Sequence, residues 1–274
     1  ADNAYMADPK GTPAALEMRL DFLNNLPLML DDMAQLTRKY EGDFSEFVYF
    51  LCSGKGKDRS NQNLTVNKLT TWKNTILVNA EHSLVTETMQ GGAINRIIDV
   101  ETSDGYFFES GNDVVTVINE NYAFCGREFI ELIIELGQEE IINIQKSYYK
   151  KITDKANELS VEKEEKQIIP MSILLATDYL ATTYLFKDNI FLDFDKCFDI
   201  LKSKEQVSEN DRAYQFILGE IAVNRSRFIG KDADCPIGEI WGFIQEDSDV
   251  VVINGLIFDK MADRGGFSST SFLS

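Results

Sequence analysis

Histidine occurs once in this sequence of 274 residues, and cysteine occurs only four times, without a CxxC pair. A structural zinc site needs clustered Cys and His ligands, so metal binding through these side chains is not expected. Scattered cysteines are typical of reduced, mostly buried thiols in an intracellular protein. The four are Cys52, Cys125, Cys197 and Cys235.

Long apolar runs and an excess of basic residues are also missing. No run approaches the roughly 18 residues that span a bilayer, and the first residues have no basic region before an apolar core, so we expect a cytoplasmic protein without a membrane partner. The net charge of −18 argues against broad, non-specific binding to nucleic acid, although it allows a local basic loop. Apolar residues (44%) and charged residues (26%) are ordinary for a globular protein, and the length suits one large or two smaller domains.

The most informative stretch is residues 26–32, an apolar run that ends in the adjacent acids Asp31 and Asp32. This pattern predicts a buried strand whose carboxylates emerge at its carboxyl end, where open α/β sheets place ligand chemistry. It has the form of a Walker B element, in which the first acid holds the shell of a nucleotide-bound Mg²⁺ and the second orients the attacking water. The alternative is an ordinary strand that ends in acids.

The segments on either side predict the rest of a parallel sheet. Thr12 fits a helix N-cap and Pro13 the first helical position, so a helix precedes the acidic strand. A second β-branched run, residues 72–82, places Asn79 and Glu81 at the same sheet edge as the two acids. We interpret His82 as a surface or capping residue. The fold class is therefore α/β, with crossover helices between parallel strands.

A basic, glycine-rich loop lies between these two strands. Residues 53–61 contain Lys55, Lys57 and Arg59, which could contact phosphate or the DNA backbone, or could simply be solvated. The loop is not a Walker A motif, since GxxxxGK[ST] is absent here and elsewhere in the sequence.

Residues 90–100 predict a glycine turn that leads through Arg96 into a third apolar strand. An arginine before a strand can reach an anion on a neighbouring surface or form a structural ion pair, and the residues alone do not decide between the two.

The rest of the chain is predicted to be mostly helical. Helices are expected from residue 113 to residue 224, with an exposed, charged helix over 146–166 and a buried one over 168–186. Residues 240–253 predict a small β-hairpin, followed by a helix-like segment over 255–263. Residues 1–10 and the glycine- and serine-rich carboxyl end are expected to fray. We therefore divide the chain into a core (11–112), a helical lid (113–230) and a small carboxyl-terminal segment (231–274).

Taken together, these motifs resemble the family catalogued as domain of unknown function 927. That family includes the AAA+ helicases of cassette-type mobile genetic elements, which are similar to the MCM replicative helicases. The resemblance is tightest over residues 12–100 and looser to about residue 230. The segments that carry it are residues 12–17, 26–32, 54–59, 72–81 and 91–96.

The resemblance implies a hexameric, ATP-driven motor that moves on single-stranded or forked DNA, with an AAA+ (RecA-like) sheet followed by a helical lid. Asp31 would hold Mg²⁺ through water, and Asp32 would stand where glutamate is usual. Asn79 would be the sensor near the γ-phosphate, and Arg96 an arginine finger acting on a neighbouring subunit. Lys55, Lys57 and Arg59 would line the DNA-facing pore.

The family also places a Walker A loop before the helix at Thr12, and this sequence has none. We therefore expect a fragment of a longer protein, with an AAA+ sheet incomplete at its amino end and little activity alone. Two alternatives remain: a degenerate AAA+ module that assembles or binds DNA without hydrolysis, and a metal-dependent nuclease using Asp31, Asp32 and Glu81.

Overall fold

The computed structural model shows a mixed α/β chain in which helices predominate. By packing, the chain divides into one unit of residues 1–96 with 205–274 and a second unit of residues 97–204. The three functional segments proposed from the sequence remain a prediction. The structure describes residues 6–7, 11–33, 44–57, 69–86, 89–102, 108–230, 238–245 and 250–272.

A three-stranded parallel sheet organises the amino-terminal part of the first unit. Its strands are β1 (Met6–Ala7), β2 (Leu28–Leu30) and β3 (Ile76–Val78), in the order β1-β2-β3. Parallel strands need crossover connections. Helix α1 (Pro13–Leu23) connects β1 to β2, and α2 (Ser45–Cys52) lies between β2 and β3. The sequence predicted the parallel pairing of β2 with β3, and the structure contains it.

Local sequence explains why α1 and β2 form where they do. The Thr12 side chain accepts a hydrogen bond from the Ala15 N–H, and Pro13 occupies the first helical turn, as predicted. Leu16, Leu20 and Leu23 form the buried stripe of α1. Strand β2 is the central strand, and Leu28 and Leu30 are almost fully buried.

Two predictions at the ends of this region were wrong. Residues 1–10 were expected to fray, but Met6 and Ala7 form β1, and the Arg19 guanidinium donates a hydrogen bond to the Met6 carbonyl. The other residues of this segment, 1–5 and 8–10, lie outside the described residues. A glycine turn and then a third strand after Arg96 were expected, but the short helix α3 (Gly91–Ile94) occupies the turn, and residues 97–100 form no strand. At the start of the predicted strand, the Ile97 carbonyl accepts a hydrogen bond from the Gln167 side chain and not from a neighbouring strand.

The second unit consists of helices. They are α4 (Gly111–Glu120), α5 (Phe124–Glu158), α6 (Glu165–Leu180), which continues into a π-helical turn (Ala181–Phe186), and α7 (Phe194–Ile200). Its core joins Ile152 of α5, Met171 and Leu175 of α6 and Phe198 of α7. The predicted helix over 146–166 is in fact interrupted, because α5 ends at Glu158 and α6 begins at Glu165.

One helical segment in the described residues, Glu165–Phe186, has the length and composition of a membrane span, with a mean hydropathy of 1.3. It packs against α5 and contributes to the core of the second unit.

The carboxyl-terminal part of the first unit has its own core of Ile217, Phe228, Trp241, Ile257 and Met261. Its mixed sheet has the order β4-β5-β6, and β5 and β6 form the predicted antiparallel hairpin. The elements are α8 (Lys204–Val207), α9 (Glu209–Val223), a 3₁₀ turn (Arg225–Arg227), β4 (Phe228–Ile229), β5 (Gly242–Gln245), β6 (Val250–Ile253), α10 (Gly255–Gly265) and α11 (Ser269–Phe272).

Two further predictions need correction. The carboxyl end does not fray through residue 272, because Phe267 is buried against Phe216 and the Phe272 ring lies 5.6 Å from the Phe258 ring. The cysteines of the described residues are free, but only Cys197 is buried, while Cys52 and Cys125 are exposed. Cys235 lies outside the described residues.

Candidate functional site

Asp31, Asp32 and Asn79 meet at the carboxyl edge of the parallel sheet, and we refer to these three residues as the acid–amide clamp. The Asn79 side-chain NH₂ donates to Asp31 Oδ1 over 2.8 Å, and Asn79 Oδ1 accepts from the Asp32 backbone N–H over 2.7 Å. An asparagine amide carries both a donor and an acceptor, so one side chain can hold both acids of the turn.

The backbone of the clamp is fixed by the pairing of β2 with β3. The Asn79 N–H donates to the Leu30 carbonyl, and the Asn79 carbonyl accepts from the Met33 N–H, each over 3.2 Å. Asp32 lies in the left-handed region at φ 58°, which Asp and Asn adopt more readily than other residues with side chains. At this turn Asp31 is exposed and Asp32 is half-buried.

The donor set of the clamp fits a magnesium ion that a nucleotide brings with it. Such an ion keeps several waters and needs only one or two protein carboxylates, and Asp31 supplies one in an exposed position. Within the described ranges, no group of three or more Asp, Glu, His or Cys residues could hold a metal by itself. That result counts against the nuclease hypothesis with Asp31, Asp32 and Glu81. Glu81 and His82 both lie exposed just beyond Asn79.

The basic loop forms the base of an antiparallel hairpin, made of residues 53–57 and 69–73. Lys55 pairs with Thr71, the Gly56 N–H donates to the Thr70 carbonyl over 2.9 Å, and the Trp72 N–H donates to the Gly54 carbonyl over 3.0 Å. Gly54 has φ 71°, a conformation that favours glycine. We call this element the basic hairpin. Its Lys55 and Lys57 are exposed, and Arg59 lies outside the described residues.

A buried acid supports the basic hairpin from α1. Glu17 is only 4% exposed, and its Oε1 accepts a hydrogen bond from the Thr70 hydroxyl over 2.6 Å. Gly56 packs so closely on this pair that an added Cβ would overlap both the Glu17 carboxylate and the Thr70 hydroxyl. Sequence reasoning missed this support, because an acid inside an amphipathic helix normally faces solvent.

Beside the hairpin lies a cleft of about 560 Å³ whose walls carry both charge and aromatic surface. Lys55 and Lys57 line one part of it, and the acidic Glu46 and the aromatic residues Phe47, Tyr49 and Phe50 line another. Cations next to aromatic faces suit a ligand with phosphates and flat bases, such as single-stranded nucleic acid.

Arg96 follows α3 and is held by its own chain. Its guanidinium lies 5.0 Å from the Tyr49 ring centre and donates to the Gly92 carbonyl. The side chain remains exposed. The structure therefore places Arg96 on an exposed surface beside α2.

A second arginine, which the sequence analysis did not single out, joins the carboxyl-terminal part of the first unit to the loop before α3. Arg212 of α9 donates to the Met89 carbonyl over 2.6 Å and to the Thr86 carbonyl over 3.4 Å, and it lies 5.9 Å from the Phe267 ring centre. The local sequence around Arg212 does not predict these two hydrogen bonds, because they join positions more than 120 residues apart.

Two family models match the chain, one at each end. Residues 1–71 match the domain of unknown function DUF927, and residues 208–274 match the Cch helix turn helix domain. The resemblance proposed from the sequence is therefore confirmed. The sequence analysis predicted a helix, a hairpin and a second helix within 208–274, but it did not identify the domain that they form.

A comparison of folds gives the same result. A solved structure described as the SCCmec type IV Cch active helicase superposes with a TM-score of 0.64 and 16% identity, covering 97% of this chain and 49% of that one. This chain thus shares the fold of that structure and spans about half of its length. No curated protein matches the sequence.

Proposed function

We propose that this chain, which carries DUF927 and Cch helix–turn–helix regions, is part of an ATP-dependent DNA helicase of the MCM-like AAA+ type. The helicase would belong to a mobile genetic element or phage and would act in the cytoplasm as a homo-oligomer, with six subunits in the complete protein. The observation that carries the proposal is the acid–amide clamp, which joins Asp31, Asp32 and Asn79 at the carboxyl edge of a parallel sheet.

Each residue of the clamp has a role in the proposed hydrolysis of ATP. Asp31 would hold a water of the Mg²⁺ shell, and Asp32 would orient the attacking water. Asn79 would sense the γ-phosphate while it holds both acids in place. Phosphoryl transfer depends mainly on such positioning and on charge stabilisation, and Arg96 would supply the stabilising charge to a neighbouring subunit.

The basic hairpin is the element that we assign to DNA. Residues 53–73 contain five basic residues and one acid, within a chain of net charge −18. Lys55, Lys57 and Arg59 would contact the phosphates of single-stranded or forked DNA. The helix–turn–helix region, residues 208–274, has six basic and eleven acidic residues, so we expect it to contribute less to phosphate contacts.

Nucleotide binding also needs a cradle for the phosphates, and this sequence contains no Walker A motif. Among the described strands, β3 pairs only with β2, and its Leu77 is 50% exposed. A strand of a parallel sheet is normally covered on both faces. We infer that a further segment of the complete protein supplies the phosphate loop beside β3, and that the present chain alone does not turn over ATP.

The test is DNA-stimulated ATP hydrolysis by the complete protein with Asp31→Asn. This substitution removes the carboxylate charge but keeps an oxygen that can accept from Asn79, so the fold is retained. We expect turnover to fall on the order of 10²-fold. Asp154→Asn, at an exposed position on α5, is the matched control and should retain full activity. Undiminished turnover by Asp31→Asn would overturn the proposal.

The second candidate is a DNA-binding or assembly module without hydrolysis. The absence of a phosphate loop from this sequence favours it, as does the helix–turn–helix region. The module requires that the complete protein binds DNA equally well with and without ATP and shows no turnover at any DNA concentration. The motor hypothesis requires that ATP changes the affinity of the complete protein for DNA and that the protein hydrolyses ATP.

A further inference from the structure

The second unit carries a pair of helical segments that its own core does not cover. They are α4 and the part of α5 that precedes Gly137, and we call residues 111–136 the arm. Gly137 interrupts α5 with φ 77° and ψ 163°. No residue of the arm is buried, and its large apolar side chains are 56% to 74% exposed at seven positions. Those seven are Val115, Val117, Ile118, Tyr122, Phe124, Ile130 and Ile134.

A helix of this kind needs a partner. Short helices are marginal in water, and most of their stability in proteins comes from packing an apolar face. Ten-residue α4 has no buried residue at all. Exposed large apolar side chains in this number usually mark an interaction site.

The charge of the arm indicates what kind of partner fits. The arm has five acidic residues and one basic residue, a net charge of −4. Glu131 and Glu135 lie one helical turn apart, beside the exposed pair Ile130 and Ile134. Phosphates of nucleic acid and anionic lipid surfaces would be repelled, so the partner is a protein surface with apolar and basic groups.

The chain itself presents such a surface on the later part of α5. Ile142, Lys146 and Lys150 follow one another at intervals of four residues and share one exposed helix face, which we call the lysine face. Neither lysine forms an ion pair with a described residue. By contrast, Lys155 on the same helix is 2.7 Å from Asp195, and Lys151 lies over the Phe194 ring.

We propose that the arm of one copy docks on the lysine face of a second copy, with Ile130 and Ile134 against Ile142 and with Glu131 and Glu135 near Lys146 and Lys150. Such a contact can repeat head-to-tail, which closes into rings, or occur twice about a two-fold axis in a dimer. The contact deepens the oligomer of the proposed function, but it uses neither the clamp nor the basic hairpin.

The experiment is sedimentation analysis of the 274-residue chain at low ionic strength, without nucleotide or DNA, using charge reversal on each surface. Glu131→Lys with Glu135→Lys reverses the charge of the two arm residues that would lie near the lysines, and Lys146→Glu with Lys150→Glu makes the lysine face acidic. Each variant alone sets like charges against each other, and its self-association should weaken at least about tenfold. A 1:1 mixture of the two variants restores opposite charges at both possible contacts and should associate as the unaltered chain does.

Ile130→Ser with Ile134→Ser tests the apolar part without changing charge and should also weaken association, while circular dichroism confirms that the helices remain. Three results would overturn the proposal: an unaltered chain that stays monomeric, reversals that leave association unchanged, or a mixture that fails to recover it. Because no ATP is present, each of these results is independent of the Asp31→Asn test.

Discussion

The two ends of the Asn79 side-chain amide contact the two neighbouring acids, so Asn79 fixes the positions of Asp31 and Asp32 relative to each other. Its NH₂ fixes the Asp31 carboxylate, and its oxygen fixes the peptide that leads into Asp32. Replacing it with alanine removes both contacts. We therefore expect Asn79→Ala to lower the free energy of unfolding by about 1–2 kcal/mol and to reduce ATP turnover by the complete protein.

Asn79→Asp separates the two halves of that role. The acceptor for the Asp32 N–H is kept, but the donor to Asp31 becomes a carboxylate, and two like charges then lie within hydrogen-bonding distance. We expect ATP turnover by Asn79→Asp to fall as far as in Asn79→Ala. Urea denaturation should show a smaller loss of stability for Asn79→Asp than for Asn79→Ala. Full turnover by Asn79→Asp would show that Asn79 does not act through Asp31.

Gly56 is a second residue whose identity is set by a close approach. A Cβ at this position would overlap Glu17 and Thr70, so Gly56→Ala should destabilise the first unit by about 1–3 kcal/mol. Gly219, in the middle of α9, has open space around it, and Gly219→Ala should stabilise the protein by about 0.5–1 kcal/mol. Chemical denaturation of both variants is the measurement, and equal effects would contradict the packing around Gly56.

At the scale of elements, substitutions in the basic hairpin distinguish local phosphate contacts from an effect of the net charge of the protein. The double variant Lys55→Ala with Lys57→Ala should weaken DNA binding and lower the slope of log affinity against log salt by about 1.4 to 1.8, since each lost phosphate contact removes about 0.7 to 0.9. Lys166→Ala with Lys196→Ala removes the same charge from exposed sites on α6 and α7 and should leave the slope unchanged. A drop of equal size in both pairs would assign the effect to net charge alone.

Elements with a local cause could be predicted from the sequence. The cap at Thr12, the buried strand before Asp31 and the hairpin over residues 240–253 follow from turn chemistry and hydrophobic spacing. Elements that depend on distant partners could not be predicted. β1 exists because Met6 pairs with Met29. The strand predicted after Arg96 does not form, and there the Ile97 carbonyl accepts a hydrogen bond from Gln167, 70 residues away.

At the scale of the whole molecule, the sequence brought out three of the residues that meet at the clamp but not the supports around them. Asp31, Asp32 and Asn79 each end a predicted strand, so parallel pairing places them at one edge. Glu17 supports the basic hairpin through Thr70, which is 53 residues away in the sequence. Arg212 donates to the Met89 carbonyl, which is 123 residues away. Their contacts depend on tertiary packing that no local pattern encodes, and the helix–turn–helix domain was missed for the same reason.

The central claim is that the acid–amide clamp belongs to an ATP site. The most direct test is equilibrium binding of ATP by the complete protein, with and without Mg²⁺, beside the same protein carrying Asp31→Asn. Our account predicts that Mg²⁺ strengthens binding to the unaltered protein and that Asp31→Asn loses this strengthening. Identical binding by both proteins, whether or not Mg²⁺ is present, would show that Asp31 and Asp32 only end a strand.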